Sequence, residues 1–121
     1  MKTALVIDDY YANRILAARL LTKAGWAVVQ AASGADGLDW LRTNQAALVL
    51  LDISMPALSG VEVCRAIRKE NLGGSDLKVV AYTAHAMNNE IAEFLATGFD
   101  AVLVKPVSRE AVAEMLAAAG F

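Results

Sequence analysis

Short runs of apolar residues alternate with longer amphipathic stretches along the whole chain. The apolar runs are rich in β-branched residues and predict strands over residues 4–8, 27–31, 47–52, 78–82 and 101–104. The stretches between them predict helices over residues 11–24, 34–44, 61–70, 87–97 and 108–119. Because strands and helices alternate, the pattern predicts an α/β fold with a parallel sheet.

The composition of the strands predicts how the helices are arranged around the sheet. The second, third and fifth strands are apolar at successive positions, as is typical when helices cover both faces of a parallel sheet. A three-layer α/β/α sandwich follows from this. On the first helix, the spacing of Ile15, Ala18, Leu21 and Thr22 places these side chains on one face, which we expect to be the buried one.

Capping residues support these boundaries. Ser59 and Glu62 have the spacing of a capping box, which predicts the start of the third helix, and residues 33–36 give a weaker start signal for the second. Gly25 and Gly98 stand where the residue just beyond a helix end is expected. The elements are therefore delimited by local chemistry as well as by periodicity.

Length, composition and charge narrow the class of protein. The chain has 121 residues, enough for a single domain, and its hydrophobic fraction of 57% predicts a large core, since no apolar run is long enough to cross a bilayer. The net charge of −2, without a basic stripe, argues against direct binding of nucleic acid. The start of the chain has no secretory leader pattern, so we expect a cytoplasmic location.

Three residues with candidate chemistry have simpler structural interpretations. Cys64 is the only cysteine, which excludes an internal disulfide and a multi-cysteine metal site, and we expect a buried thiol. Trp26 and Trp40 belong to no aromatic cluster in the sequence, so we interpret both as packing residues.

Acidic residues stand at the ends of two predicted strands. Asp8 and Asp9 end the first strand and Asp52 ends the third, and ligands bind beyond the carboxyl ends of the strands in parallel sheets. If these strands are neighbours, each close pair of carboxylates repels by about 4 kcal/mol at about 4 Å in an effective dielectric of about 20. Such a pocket requires a cation, and a few hard oxygen ligands favour Mg²⁺ together with a phosphate group.

Complementary groups follow the last two strands. Thr83 comes after the fourth strand and Lys105 after the fifth. A hydroxyl and an ammonium group at the same edge of the sheet could hold the oxygens of a phosphoryl group on Asp52.

Four short segments at successive strand ends carry a resemblance to a known family. They are Asp8-Asp9, Leu51-Asp52-Ile53-Ser54-Met55-Pro56 with Gly60 beyond, Tyr82-Thr83-Ala84, and Val104-Lys105-Pro106. In this order they resemble the motifs of receiver domains of two-component response regulators, and the resemblance covers essentially the whole chain. It implies the flavodoxin-like strand order 2-1-3-4-5, and a Mg²⁺-dependent phosphoacceptor whose helical surface changes on phosphorylation.

The resemblance also implies roles for individual residues. Asp52 would be the phosphoacceptor, assisted by Thr83 and Lys105. Asp52 and Asp9 would ligate Mg²⁺ directly, Asp8 would act mainly through a coordinated water, and the main-chain carbonyl of Ser54 would supply another oxygen. A cis peptide bond between Lys105 and Pro106 is expected for the same reason.

Two further positions concern the lifetime and the output of the phosphorylated state. Ser54 and His85 lie two residues beyond Asp52 and Thr83, positions that in receivers flank the route of the hydrolytic water. The chain departs from the family three residues before the lysine, where Val102 replaces the usual switch aromatic. Tyr82 should point to the strand face opposite Thr83, so we do not expect it to replace that aromatic.

Partners are implied by the same resemblance. A histidine kinase or histidine phosphotransfer domain would donate the phosphoryl group, docking on residues 55–58 and on the side of the first helix that carries Ala12, Ile15 and Leu16. A downstream effector protein and a homodimer through the fourth and fifth helices are further options, and no membrane contact is expected. We expect residues 1–121 to form one receiver domain without an output domain, either stand-alone or from a hybrid kinase.

Receivers assist only their own phosphorylation and dephosphorylation, so we do not expect an enzyme in the usual sense. One alternative is a phosphoaspartyl hydrolase, but those enzymes have Asp-x-Asp-x-Thr where this chain has serine at position 54. A flavin or nucleotide module is disfavoured because residues 8–11 place carboxylates, without glycines, where a phosphate would bind.

Overall fold

A computed structural model describes residues 1–84 and 86–121, and its strands and helices alternate as the sequence predicts. In chain order the elements are β1 (Thr3–Ile7), α1 (Tyr11–Lys23), β2 (Ala27–Ala31), α2 (Gly34–Thr43), β3 (Leu48–Asp52), α3 (Gly60–Glu70), β4 (Lys78–Thr83), α4 (Asn88–Thr97), β5 (Ala101–Val104) and α5 (Arg109–Ala118). The predicted boundaries differ from these by at most one residue at each end.

The strands form a parallel sheet in the order β2-β1-β3-β4-β5, which confirms the flavodoxin-like topology. The register pairs Ile7 with Leu51 and Asp52 with Tyr82. Because side chains alternate along a strand, Asp8, Asp52 and Tyr82 lie in one row across three strands and on one face of the sheet. This row lies at the carboxyl end of the sheet.

Two apolar clusters, one on each face of the sheet, confirm the three-layer architecture. The first is formed by sheet residues such as Leu5 and Val49 together with buried residues of α2, α3 and α4. The second is formed by sheet residues such as Val6 and Leu50 together with buried residues of α1 and α5. Every residue of β3 is buried, so the strand that ends in Asp52 runs through the middle of the core.

The prediction that helices cover both faces of the second and fifth strands is confirmed, since β2 contacts α1 and α2 and β5 contacts α4 and α5. These strands lie at the edges of the sheet, where Gln30 of β2 is exposed and Val104 of β5 is 45% exposed. A run of apolar residues is compatible with an edge strand as well as a central strand, because the run does not show how many strands pair with it.

Local signals at the helix ends are largely confirmed. Ser59 and Glu62 form the predicted capping box, and the Ser33 hydroxyl accepts a hydrogen bond from the backbone N–H of Asp36. Gly25 lies beyond the C-cap of α1 with a φ of +97°, whereas Gly98 is itself the C-cap of α4.

The predicted buried face of α1 was partly wrong. Ala18 and Leu21 are buried as expected, but Ala17 joins them while Thr22 is exposed. The helix is therefore rotated toward Ala17, and Thr22 donates its hydroxyl to the carbonyl of Ala18 at 2.8 Å.

The packing interpretations of Cys64, Trp26 and Trp40 are confirmed. Cys64 is a free, fully buried thiol in the first cluster, and Trp40 packs against that cluster. Trp26 is buried in the second cluster, with its ring edge-on to Phe121 at 4.9 Å between centroids.

Candidate functional site

Three carboxylates meet at the carboxyl end of the sheet. One oxygen each from Asp8, Asp9 and Asp52 lies within 4.8 Å of the other two. Asp8 is fully buried, Asp52 is 3% exposed, and Asp9 faces solvent. The convergence follows from the β1–β3 pairing, which aligns the ends of two strands that are distant in sequence.

The two oxygens of the buried Asp8 carboxylate have different surroundings. Oδ1 accepts a hydrogen bond from the backbone N–H of Tyr10 at 2.8 Å. Among the described residues, Oδ2 has no hydrogen-bond partner, and the Lys105 ammonium lies 3.6 Å away from it. A buried carboxylate oxygen without a donor is costly, and a cation coordinated there would remove that cost.

Lys105 reaches the acidic cluster from the end of β5. Its Nζ atom donates a hydrogen bond to Asp52 Oδ1 at 3.1 Å, and only 18% of its side chain is exposed. The backbone N–H of Lys105 donates to the carbonyl of Thr83 at 2.7 Å, which fixes the start of the loop. The expected cis peptide bond between Lys105 and Pro106 is confirmed.

One ammonium among three carboxylates leaves excess negative charge in the pocket. Burial raises the pKa of the Asp52 carboxyl from 3.8 to about 6, and the charge of Asp8 adds to this rise. The hydrogen bonds from Lys105 and from the backbone of Ser54 act in the opposite direction. An additional positive charge in the pocket would therefore be stabilised by the carboxylates.

The loop after β3 supports the Asp52 carboxylate. The backbone N–H of Ser54 donates to Asp52 Oδ1 at 3.3 Å, while the side chain of Ser54 is exposed. The backbone N–H of Gly60 donates to the carbonyl of Ile53 at 3.0 Å, which brings the first turn of α3 against the end of β3. The loop is thereby closed by backbone hydrogen bonds.

Three further positions were singled out in the sequence, and the structure describes two of them. Thr83 is the last residue of β4 and is partly exposed at the same edge of the sheet. His85 lies outside the described residues, so its predicted role is not addressed by the structure. Val102 is partly buried and packs against the first apolar cluster, as a residue with no polar function would.

Tyr82 contributes to the site in a way that the sequence interpretation missed. Alternation along β4 places it opposite Thr83, as predicted, but that face carries Asp52. The ring of Tyr82 lies beneath the Lys105 ammonium, with Nζ 4.7 Å from the ring centroid. Burial, together with the charges of Asp8 and Asp52, raises the pKa of Tyr82 to about 12, so its hydroxyl stays neutral.

Arg14 is a second residue that the sequence interpretation missed. From α1 its Nη1 donates to the main-chain carbonyl of Asp8 at 3.0 Å, and its Nε donates to Gln30 Oε1 at 3.1 Å. It therefore ties the loop after β1 to the edge strand β2. The apolar pattern contained no signal for this contact, since a partly exposed arginine on a helix has no preferred partner in sequence.

The donor set fits a hard divalent cation. Carboxylate oxygens, one of them buried without a donor among the described residues, are the ligand type that Mg²⁺ prefers. Asp8 and Asp52 supply the buried side of such a site, and Asp9 supplies the side open to water.

The residues expected to form the docking surface are only partly exposed. Ala12 and Leu16 of α1 face solvent, Ile15 is half-buried, and Pro56 is exposed in the loop after β3.

Within the part of the chain that the structure describes, no helix has the length and apolarity to cross a membrane.

Comparisons with known proteins agree with this geometry. The family model of the response regulator receiver domain matches residues 4–117. The sensor histidine kinase GacS of Pseudomonas protegens is 36% identical over 114 residues, which are 93% of this chain and 12% of that protein. The transcriptional regulatory protein AfsQ1 of Streptomyces coelicolor is 37% identical over 88% of this chain and 46% of its own length. This chain thus spans less than half of either relative.

A solved structure gives the same result for the fold. The chemotaxis protein CheY4 of Vibrio cholerae superposes with a TM-score of 0.88 at 26% identity, covering 97% of both chains. Sequence and structure therefore point to one family over nearly the full length of the chain.

Proposed function

The chain belongs to the response regulator receiver domain family of two-component signalling, and we propose that it accepts a phosphoryl group on Asp52 in a Mg²⁺-dependent reaction. The observation that carries this proposal is the position of the Asp52 carboxylate. Asp52 lies at a strand end and is only 3% exposed. The Lys105 ammonium donates a hydrogen bond to one of its oxygens, and two further carboxylates lie beside it. An aspartate with a purely structural role would gain nothing from lying beside two other carboxylates, because like charges repel.

In the proposed reaction a carboxylate oxygen of Asp52 forms a bond to phosphorus while the bond from phosphorus to the donor histidine nitrogen breaks. The nitrogen keeps the bonding pair and takes up a proton, and Asp52 becomes a mixed anhydride. Mg²⁺, held by Asp8, Asp9, Asp52 and the Ser54 carbonyl, would supply charge neutralisation for the phosphoryl oxygens. The protein's own contribution is to hold the acceptor in line and to exclude competing water.

Lys105 and Thr83 complete the proposed site. The Lys105 ammonium already donates to Asp52 and would stabilise negative charge on the phosphoryl oxygens as the reaction proceeds. Thr83, at the end of the adjacent strand β4, would donate its hydroxyl to another of these oxygens. Movement of Thr83 toward the phosphoryl group would draw in the loop before α4 and change the exposed surface.

Ser54 and His85 are proposed to set the lifetime of the phosphorylated state. Ser54 has an exposed side chain, and its backbone N–H donates to the Asp52 carboxylate, so it lies close to the acceptor. We expect Ser54→Ala and His85→Ala to change the rate of dephosphorylation while leaving phosphorylation intact. Equal lifetimes in the wild type and both variants, measured by phosphate release, would remove both residues from this role.

Receiver domains interact with histidine kinases or phosphotransfer partners, and we propose such a partner as the phosphodonor of this chain. We further propose that residues 1–121 form one receiver domain working in the cytoplasm, that it signals to an effector protein, and that α4 and α5 offer a surface for a homodimer. Both a stand-alone regulator and the receiver of a hybrid kinase fit these proposals. Catalysis by the chain would be limited to its own phosphorylation and dephosphorylation.

Incubation with acetyl phosphate and Mg²⁺, followed by intact-mass measurement, tests the proposal. The wild type should gain the mass of one phosphoryl group, and Asp52→Asn should gain none. Asp76→Asn is the matched control, because Asp76 is an exposed acid outside the carboxylate cluster. A gain that persists in Asp52→Asn would place the acceptor elsewhere.

The phosphoaspartyl hydrolase alternative is not favoured, because the family match covers nearly the whole chain. A hydrolase would turn over a phosphorylated substrate many times. Release of phosphate from a phosphate monoester, in large excess over protein, would support it, whereas reaction with acetyl phosphate but not with the monoester supports the receiver function.

A further inference from the structure

The Lys105 ammonium contacts an aromatic ring as well as two acids. Its Nζ lies 4.7 Å from the ring centroid of Tyr82, in addition to 3.1 Å from Asp52 Oδ1 and 3.6 Å from Asp8 Oδ2. Tyr82 is itself 1% exposed and belongs to the apolar cluster beneath the site. The ammonium is therefore held between a ring face and the carboxylates.

We propose that Tyr82 is a positioning residue, whose ring holds Lys105 over the acceptor; the inference rests on the proposed function of Asp52. A lysine side chain has a flexible four-carbon stem and a strongly hydrated head, so it does not stay in one place without contacts. The negative face of an aromatic ring attracts an ammonium, most strongly where water is partly excluded. The side chain of Lys105 is only 18% exposed, which meets that condition.

The register of the sheet explains why this position is suited to the task. Tyr82 is the Cα partner of Asp52 across the β3–β4 ladder, so both side chains leave the sheet on the same face and in the same row. The backbone N–H of Ile53 donates to the carbonyl of Tyr82 at 3.1 Å, which continues the ladder past the acceptor. Backbone hydrogen bonds thus hold the main chain of Tyr82 beside that of the acceptor.

The contact between Lys105 and the Tyr82 ring is not altered by the reaction, whereas the contact with the Asp52 carboxylate is. During phosphorylation the charge on Asp52 changes and its oxygens acquire a new partner, so the Asp52–Lys105 hydrogen bond does not persist unchanged. The contact with Tyr82 involves no group that reacts. Lys105 can therefore stay over the ring while its hydrogen bond passes from a carboxylate oxygen of Asp52 to a phosphoryl oxygen.

The contact can be tested without any phosphodonor by NMR. The ε-methylene protons of Lys105 should be shifted upfield by the Tyr82 ring current in the wild type and in Tyr82→Phe, which retains the ring face. The shift should be lost in Tyr82→Leu. Unshifted Lys105 resonances in the folded wild type would overturn the proposal, and this result would say nothing against phosphorylation of Asp52.

The effect on the reaction is tested by the initial rate of phosphorylation with acetyl phosphate and Mg²⁺. Tyr82→Phe should react at close to the wild-type rate, and loss of the ring in Tyr82→Leu should slow the reaction about tenfold. The mass added per phosphorylated molecule should be that of one phosphoryl group in all three proteins, since Asp52 remains.

A series of fluorinated phenylalanines at position 82 covers the case in which Tyr82→Leu does not fold. Fluorination keeps the approximate size of the ring but withdraws negative charge from its face. The proposal expects rates that fall in order of fluorination, with unchanged unfolding midpoints. Equal rates across a folded series would assign Tyr82 to packing alone, whereas failure of the wild type to be phosphorylated on Asp52 would instead reject the proposed function.

Discussion

Gly60, the first residue of α3, lies directly against the backbone of Asp52, the last residue of β3. A Cβ atom on Gly60 would lie 2.8 Å from the Cα of Ile53 and closer still to the carbonyl oxygen of Asp52. No real side chain tolerates such contacts with backbone atoms, which cannot move aside as a flexible side chain can. The absence of a side chain at Gly60 is therefore what allows α3 to begin beside the acceptor.

Gly60→Ala should destabilise the fold by about 1–3 kcal/mol, because the added methyl group forces α3 away from β3. The free energy of unfolding in urea gives the measurement. Glu114→Ala, at an exposed position of α5, is the control and should stay within about 0.5 kcal/mol of the wild type. A Gly60→Ala protein as stable as its control would mean that α3 starts farther from the acceptor.

Asp52→Asn should increase stability at high pH in the absence of divalent cations. The pKa of Asp52 is raised from 3.8 to about 6 in the folded state, chiefly by burial, so folding favours the protonated acid. This contribution to stability is fully present below pH 4 and is lost as the pH rises through about 6. The variant has no such loss, and its advantage should therefore grow from near zero at pH 4 to about 1–3 kcal/mol at pH 8.

Urea unfolding in EDTA at several pH values measures this difference. Asp76→Asn provides the comparison, since removal of an exposed acid should leave the pH dependence of the wild type unchanged. If Asp52→Asn followed the wild type in parallel across the whole range, Asp52 would have an ordinary pKa in the folded protein.

On the proposed function, Mg²⁺ binds the carboxylate cluster of the folded state and should therefore stabilise the wild type against urea. At a hundredfold excess over its dissociation constant the gain is about 2.7 kcal/mol. Asp9→Asn should lose most of this gain, because Asp9 supplies the solvent-facing ligand. A gain of the same size in Asp9→Asn, at the same Mg²⁺ concentration, would place the ion outside the cluster.

Cys64 should resist thiol reagents in the native protein. Its side chain is fully buried in the first apolar cluster, and burial raises its pKa to about 11, so the reactive thiolate is scarce at pH 8. Titration with Ellman's reagent should find no reactive thiol without denaturant and one per chain in concentrated urea. Rapid reaction under native conditions would indicate that α3 opens readily.

Local chemistry accounts for much of what the sequence predicted. Alternating apolar runs and amphipathic stretches gave every described element, and the capping box at Ser59 and Glu62 marked a helix start that the structure confirms. The positions of Asp8 and Asp52 at strand ends predicted that these carboxylates meet at the carboxyl edge of the sheet, as they do in the structure. The strand order came from the resemblance of the motifs rather than from periodicity.

By itself, then, the sequence determined the elements, their order and the residue types at each strand end, because these depend on neighbours along the chain. The tertiary structure decided that, among the described residues, Asp8 Oδ2 is left without a donor, and that Tyr82 lies under Lys105. Lys105 and Asp52 are 53 residues apart, and their contact depends on the register and packing of separate strands. A repeat of two or four residues carries no information about such distances, so only the folded chain fixes them.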